Sequence, residues 1–178
     1  MIERWIPLNS LPASGSSFTV DDAMVWSEPV REFGMACTFR IPLRAEVFLL
    51  PQEGGCFVRG HLTGEVGLPC DRCSEEAVVA LDQRFEGFEP LPEAEADEED
   101  AEFDERVMRP GDSGPEINLA ALLWEEFSLA LPVHPLCAPE CKGLCPVCGN
   151  NLNDGSCSCS RDEGDPRLAT LRGLTINK

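Results

Sequence analysis

Between residues 57 and 68 the chain alternates between two faces. Val58, Gly60, Leu62, Gly64, Val66 and Leu68 share one parity, while Phe57, Arg59, His61, Thr63 and Glu65 take the other. Period two over that length predicts a strand with one apolar and one mostly polar face. Leu43, Ala45, Val47 and Leu49 repeat the pattern and predict an earlier strand, with a turn at Gln52-Glu-Gly-Gly55 between the two. Val79, Leu81 and Phe85 predict a third strand, running to about Phe88. With short turns joining the three, an antiparallel meander is the simplest topology.

The period then changes. Leu119, Leu122, Leu123, Phe127 and Ala130 recur at three- and four-residue spacing, which predicts a helix with a broad apolar side. Asn118 can cap it and Pro132 stops it. Trp124 widens the apolar face and leaves Glu125, Glu126 and Ser128 as a narrow polar one, so this helix is expected to pack on the sheet. Residues 21–28 read as a short helix that Pro29 ends. The fold class expected is α+β: an antiparallel sheet, one packed helix and a C-terminal zinc-ribbon-like segment. The division expected is an α+β domain over residues 1–132, with a cysteine-rich, zinc-binding segment over 133–178 packed on it.

Residues 90–115, PLPEAEADEEDAEFDERVMRPGDSGP, lose the apolar pattern and predict a solvated, mobile acidic loop, one able to capture a cationic protein. Residues 86–116 carry thirteen acidic and two basic side chains, a local charge of −11 out of a total of −18. A chain this acidic repels phosphate backbones and has no basic stripe along its sequence, which disfavours non-specific nucleic-acid binding and favours a basic protein partner. The longest apolar run, Leu119 to Trp124, is too short to span a bilayer, and the N-terminus has an acidic Glu3 and no apolar core of a secretory signal. A cytoplasmic location is expected, with no membrane and no small-molecule substrate as partner. In that compartment paired cysteines are more often metal ligands or redox centres than disulfides.

Ten cysteines are present, six of them between residues 135 and 159. Cys70-Asp-Arg-Cys73 and Cys145-Pro-Val-Cys148 have the spacing at which one tight turn presents two thiolates to one ion. Cys137 with Cys141, and Cys157 with Cys159, make two further close pairs. Four pairs suffice for two zinc ions, and one or two Zn²⁺ are expected. The least demanding partition joins Cys145 and Cys148 to Cys157 and Cys159 across a short loop, leaving Cys70 and Cys73 for Cys137 and Cys141. Other partitions stay open, among them one ion on Cys137, Cys141, Cys145 and Cys148, or His134 in place of a cysteine. Cys37 and Cys56 have no partner at ligand spacing and read as small buried hydrophobes. All-cysteine sites are typically closed and structural, and the chain has no HExxH, phosphate-cradling glycine loop or Ser/His/Asp order. Neither catalytic nor cofactor-binding residues are identified, and the chain is read as a non-enzyme. A redox or electron-transfer protein using the CxxC pairs is the competing reading.

The joint order of several short pieces is more specific than any one of them. It runs from Gly60, Gly64 and Leu68-Pro-Cys-Asp-Arg-Cys73, through the acidic insert, to Ile117-Asn-Leu, Glu126 and Leu129-Ala-Leu-Pro132. It continues with Pro135-Leu-Cys137, CKGLCPVCGNNLN over residues 141–153, Asp165-Pro-Arg167 and Leu171. Over roughly residues 30 to 174 the chain thereby resembles the YceD family, in its cysteine-rich branch with a CKGLCPxCGxNLN segment. The resemblance implies a ribosome-biogenesis factor supporting accumulation of large-subunit ribosomal RNA, with no catalytic residues to carry over. Combined with the charge, it favours a ribosomal protein or a pre-50S particle as partner, with rRNA contacted indirectly. A local RNA contact through Arg161, Arg167, Arg172 and Lys178 is the alternative, diluted by Asp162, Glu163 and Asp165.

Overall fold

The computed structural model describes residues 4–92, 107–112 and 114–159. The three predicted strands are present and long: β3 (Thr38–Gln52), β4 (Gly55–Pro69) and β5 (Glu76–Pro90). They pair antiparallel as a meander, and β2 (Ser16–Val20) adds to β3 at one edge, giving the order β2-β3-β4-β5. The predicted turn becomes a two-residue hairpin closed by Gln52 opposite Gly55, with Gly54 at φ +80 as such turns require. Leu43, Ala45, Val47 and Leu49 of β3 and Val58, Leu62 and Val66 of β4 are buried on one face, as the alternation predicts. Around Pro42 the β3–β4 register shifts, where a residue without an N–H cannot complete the ladder. Opposite the shift, Gly64 sits at φ +150 with Leu43 lying where a Cβ would be.

A second antiparallel sheet, absent from the sequence expectation, contains β1 (Trp5–Pro7), β6 (Met108–Gly111) and β7 (Gly114–Asn118) in the order β1-β7-β6. It corrects the expectation of one acidic loop over 90–115. Pro90 closes β5, Leu91 packs against the core, and Val107 and Met108 are buried, so both ends of that stretch are built into the fold. Residues 93–106, which carry most of its acidic side chains, lie outside the described residues.

Two helices complete the α+β fold. α1 (Met24–Glu32) corrects the expectation that Pro29 ends a helix, because it continues past Pro29 for three residues. Pro29 costs an internal hydrogen bond, but Pro29 and Val30 are both buried, and the Pro29 carbonyl still accepts from the Phe33 N–H at 2.9 Å. α2 (Leu119–Ala130) buries Leu119, Leu122, Leu123 and Phe127 together with Ala120 and Ala121, and joins α1, both sheets and the 3₁₀ turn at Leu8–Ser10 in one core. Trp26, Leu49, Leu62, Ile117 and Phe127 are among the largest side chains fully enclosed there. Each such side chain contributes about 1.5–3 kcal/mol by leaving water. Among the described residues no helix is long and apolar enough to cross a membrane.

Asn118 is where these parts meet. Its buried Oδ1 accepts from the N–H groups of Ala120 and Ala121 at the start of α2, and from the Arg4 N–H, which precedes β1. Its own N–H donates to Val107 O at 2.7 Å. Asn118→Ala would leave two buried donors and one part-buried donor without their acceptor and is expected to lower unfolding stability by about 2–4 kcal/mol in urea titrations. Asn118→Asp keeps the acceptor and is expected to lose less; equal losses would assign the effect to packing instead.

Candidate metal centre

The cysteines predicted as ligands come together in two groups of four. In each group the sulfurs lie within 4.8 Å of one another: Cys70, Cys73, Cys137 and Cys141 in one, Cys145, Cys148, Cys157 and Cys159 in the other. Cys37 and Cys56 belong to neither; Cys37 packs half-buried against the core and Cys56 is fully enclosed in it. Burial raises the thiol pKa of both, that of Cys56 to about 11, which keeps them protonated and inert. His134 is also outside both groups. Its ring is exposed and pairs with Asp71 at 2.7 Å.

The first group is assembled from distant stretches. Cys70 and Cys73 stand on the connection from β4 to β5, a turn closed by Cys70 N–H to Glu75 O at 2.7 Å and Ser74 N–H to Cys70 O at 2.9 Å. Ser74 takes φ +62 to make that turn, the one non-glycine residue in the left-handed region among the described residues. Cys137 and Cys141 follow α2, and the two stretches are bound to each other by the backbone. Asp71 N–H donates to Pro135 O at 2.9 Å and Leu144 N–H to Arg72 O at 3.0 Å, while the Arg72 guanidinium donates to Cys141 O at 2.8 Å. Cys70, Cys73 and Cys141 are buried, and with Ala77 and Leu136 they form a cluster separate from the main core.

The second group is local. Cys145 N–H donates to Asn150 O and Gly149 N–H to Cys145 O, curling the Cys-Pro-Val-Cys turn, with Gly149 at φ +74. Leu144 bridges Asn151, and Leu152 N–H reaches back to Gly143 O, so the second turn is fastened to the first group's lower edge.

The geometry fits a tetrahedral thiolate-bound ion. A metal–sulfur bond of about 2.3 Å puts ligand sulfurs about 3.8 Å apart. Cys70 and Cys141 sulfurs are 3.8 Å apart, and Cys73 and Cys137 sulfurs 3.5 Å. A disulfide, at about 2.05 Å, is excluded by those distances. The surroundings favour charge on sulfur. Backbone N–H groups of Cys137, Arg72 and Cys73 lower the Cys70 thiol to about 6, and those of Cys148 and Val147 lower Cys145 to about 6. The Asn153 amide donates to the Cys141 sulfur at 3.3 Å and lowers that thiol as well. Cys73, Cys137 and Cys159 go the other way. Cys73 drives the Cys137 thiol up to about 12, and Cys148 drives Cys159 up to about 12. Four thiolates sharing so small a volume repel, and a divalent cation is what lets all four ionise together.

Sequence reasoning missed the supporting residues. Asn153 also accepts from Lys142 N–H through its side-chain oxygen, so it ties the start of the segment between the two groups to the loop after Cys148. Its signal was the asparagine-rich stretch after Cys148, where side chains that bond backbone favour tight turns. Arg72, inside the first CxxC, carried no signal for its long-range bond to Cys141 O.

Comparison with known proteins agrees with the order of these elements. A model of the family described as large ribosomal RNA subunit accumulation protein YceD matches residues 58–175. An uncharacterized protein of Mycobacterium tuberculosis is 30% identical over 175 residues, covering 88% of this chain and 80% of that protein. The chloroplastic large ribosomal RNA subunit accumulation protein YCED homolog 1 of Zea mays is 26% identical over 160 residues, 76% of this chain and 54% of its own length. Its namesake in Arabidopsis thaliana is 24% identical over 156 residues, 75% of this chain and 48% of its own length. The chain thus spans about half the length of the plant relatives it matches. No solved structure matches it. With both cysteine groups, α2 and nearly all of the β4–β5 hairpin inside the matched region, the chain belongs to the YceD family.

Proposed function

We propose that this protein is a non-enzymatic ribosome-biogenesis factor that supports accumulation of large-subunit rRNA, acting in the cytoplasm by binding a basic ribosomal protein or a pre-ribosomal particle. The observation that carries the reading is the family match over residues 58–175, which spans most of β4 and all of β5, α2 and both cysteine groups. The relatives whose names state a role are named for accumulation of large ribosomal RNA. A factor of this kind needs a stable surface rather than an open metal position, and all-thiolate tetrads offer no vacant coordination site. We assign Cys70, Cys73, Cys137 and Cys141 to one structural Zn²⁺, and Cys145, Cys148, Cys157 and Cys159 to a second.

The charge supports a basic partner. Near α2, burial raises the carboxyl pKa of Glu89 and of Glu126, and Glu126 is raised further by Glu89 and Glu125. Carboxylates held this close gain from an incoming cationic side chain. The neighbouring surface offers apolar contact as well: Leu129 stands 76% exposed between Glu125 and Glu126 around the helix, and Val133 is 87% exposed. The pair also carries a sign in pH. A carboxyl whose folded pKa is raised takes up protons before the unfolded chain does, so its ionisation opposes folding as pH rises. Glu126→Gln is therefore expected to raise the urea midpoint at pH 7, with the gain vanishing below the carboxylate range.

Two tests address the reading itself. Elemental analysis of the purified protein is expected to give two zinc ions per chain, falling to one in both Cys141→Ser and Cys148→Ser. Cys141→Ser, which opens the buried group, is expected to cost at least about 3 kcal/mol, roughly 6–12 °C in Tm for a chain of this size. A coloured, iron-containing preparation would instead favour the redox alternative, since four thiolates suit iron as well as zinc. Affinity purification from the native cell, with and without RNase, is expected to retain ribosomal proteins after RNase. Recovery of neither ribosomal proteins nor rRNA, even with RNase omitted, would refute the biogenesis reading.

A further inference from the structure

The side of the β2-β3-β4-β5 sheet facing away from the core is not bare. A trough of about 730 Å³ crosses all four strands. Its floor is the backbone of one rung, Phe18, Val47, Gly60 and Phe85, with the side chains of Phe18, Val47 and Phe85 turned inward and the Phe85 ring lying where a Cβ of Gly60 would be. Its walls are the two neighbouring rungs: Ser17, Phe48, Arg59 and Glu86 on one side, Thr19, Glu46, His61 and Arg84 on the other. Arg59 and His61 stand two residues apart on β4, and Arg84 lies directly across from His61 on β5. In a chain of net charge −18, this is a place where cations have been gathered.

Among the described residues the acidic side chains around the trough leave its two arginines without an ion pair. Glu46 is paired with Arg44 at 3.2 Å, and the Asp82 carboxylate with His61, with a longer-range attraction from Arg84 as well. Glu86 faces Arg59 in the register, yet among the described residues no carboxylate lies within ion-pair distance of Arg59 or Arg84. Both guanidinium groups are exposed side chains available to an incoming anion. Arg59 is also oriented: its guanidinium sits over the Phe48 ring at 5.6 Å, and the tip of that ring occupies the space above Gly15. One rung further along the same face, Phe57 pairs with Phe88, and Phe88 is 45% exposed. Half-exposed rings beside unpaired arginines on an open sheet are the parts from which single-stranded nucleic acid is bound: rings and guanidinium planes stack bases while the cations take phosphates. An acidic peptide would use the arginines and leave the rings unused.

We propose that this trough binds single-stranded RNA directly, with Arg59 and Arg84 on phosphates and Phe48, Phe57 and Phe88 as the stacking stripe. The inference goes beyond the protein-binding reading and does not rest on it. The test is fluorescence anisotropy of the full-length, metal-loaded protein with a ten-residue oligouridylate, at about 50 mM salt where phosphate contacts are strongest. Saturable binding is expected, with log K falling against log salt at a slope of about −1.4 for two phosphates on a single strand. Arg59→Ala and Arg84→Ala are each expected to weaken binding about tenfold and to halve that slope. Phe88→Leu is expected to weaken it several-fold while leaving the slope unchanged, which a purely electrostatic contact would not do. Arg31→Ala, an equal charge change on the exposed side of α1, is the control and should have little effect. These substitutions are on exposed side chains, and unchanged melting will confirm that the fold is kept. The proposal is overturned by absence of saturable binding, by Arg31→Ala weakening it as much as Arg84→Ala, or by a decaglutamate peptide competing as well as RNA. None of those outcomes touches RNase-resistant association with ribosomal proteins, so the two proposals fail separately.

Discussion

The described segment that follows α2 depends on four sulfurs brought together from two distant stretches. Cys73 and Cys137 are 64 residues apart, and Cys70 and Cys141 are 71 apart. Closing a loop of that length costs roughly 4 kcal/mol in chain entropy alone. Elsewhere in the molecule such costs are offset by apolar burial, but here only Ala77 and Leu136 join the buried cysteines. Three backbone and side-chain bonds through Asp71, Arg72 and Leu144 help, yet they are exchanged against bonds to water and contribute about 1 kcal/mol each at best. Sulfurs 3.5–3.8 Å apart add nothing to this as neutral thiols and would repel as thiolates. A dication reverses that sign, and the same contacts then become the attachment of the segment to the sheet.

Net charge misleads when it is read along the sequence. A run such as residues 95–105 dominates any average, while strands distribute their cations one at a time at every second position. Arg44, Arg59 and Arg84 belong to three different strands and look isolated in sequence. Pairing β3 with β4 and β4 with β5 gathers them on one face, and the register then decides which carboxylates reach them. The acidic side is built in the same way: Glu89 lies near the end of β5 and Glu126 in α2, yet the fold half-buries both and brings Glu89 close enough to raise the cost of ionising Glu126. A strongly acidic protein can therefore present two chemically opposite surfaces.

What could be read from the sequence was whatever rests on local periodicity. Leu43 to Leu49, Val58 to Leu68 and Leu119 to Ala130 each carry a repeat long enough to name the element and its buried side, and the Asn118 cap and the Glu53–Gly54 turn are chemistry of adjacent residues. The smaller sheet had no such signal. Trp5–Pro7 is three residues long and becomes a strand only because β7, more than a hundred positions away, supplies its partners. Val107 and Met108 were submerged in an acidic run, although they are enclosed by the core. Pro29 misled for a related reason, since burial of its ring offsets a lost hydrogen bond that local rules count alone. Pair spacing named the eight cysteines but could not by itself exclude His134, whose Asp71 partner is 63 residues distant.

The β4–β5 hairpin links the two halves of this molecule. Its residues from Arg59 to His61 and from Arg84 to Glu86 line the trough, and the turn between its strands carries Cys70 and Cys73. In an antiparallel pair a slip of one residue moves every side chain to the opposite face, which here would turn the arginines inward and Leu62 and Leu81 into water. The apolar face resists such a slip strongly at the centre of the hairpin. At the cysteine end the resistance comes from Cys70 N–H bonded to Glu75 O and from whatever holds the sulfurs. A metal ion at that turn would thus fix the strand ends without touching the trough, and the trough would keep its shape through the apolar core beneath it. The two sites are mechanically joined through one hairpin and energetically supported by different forces.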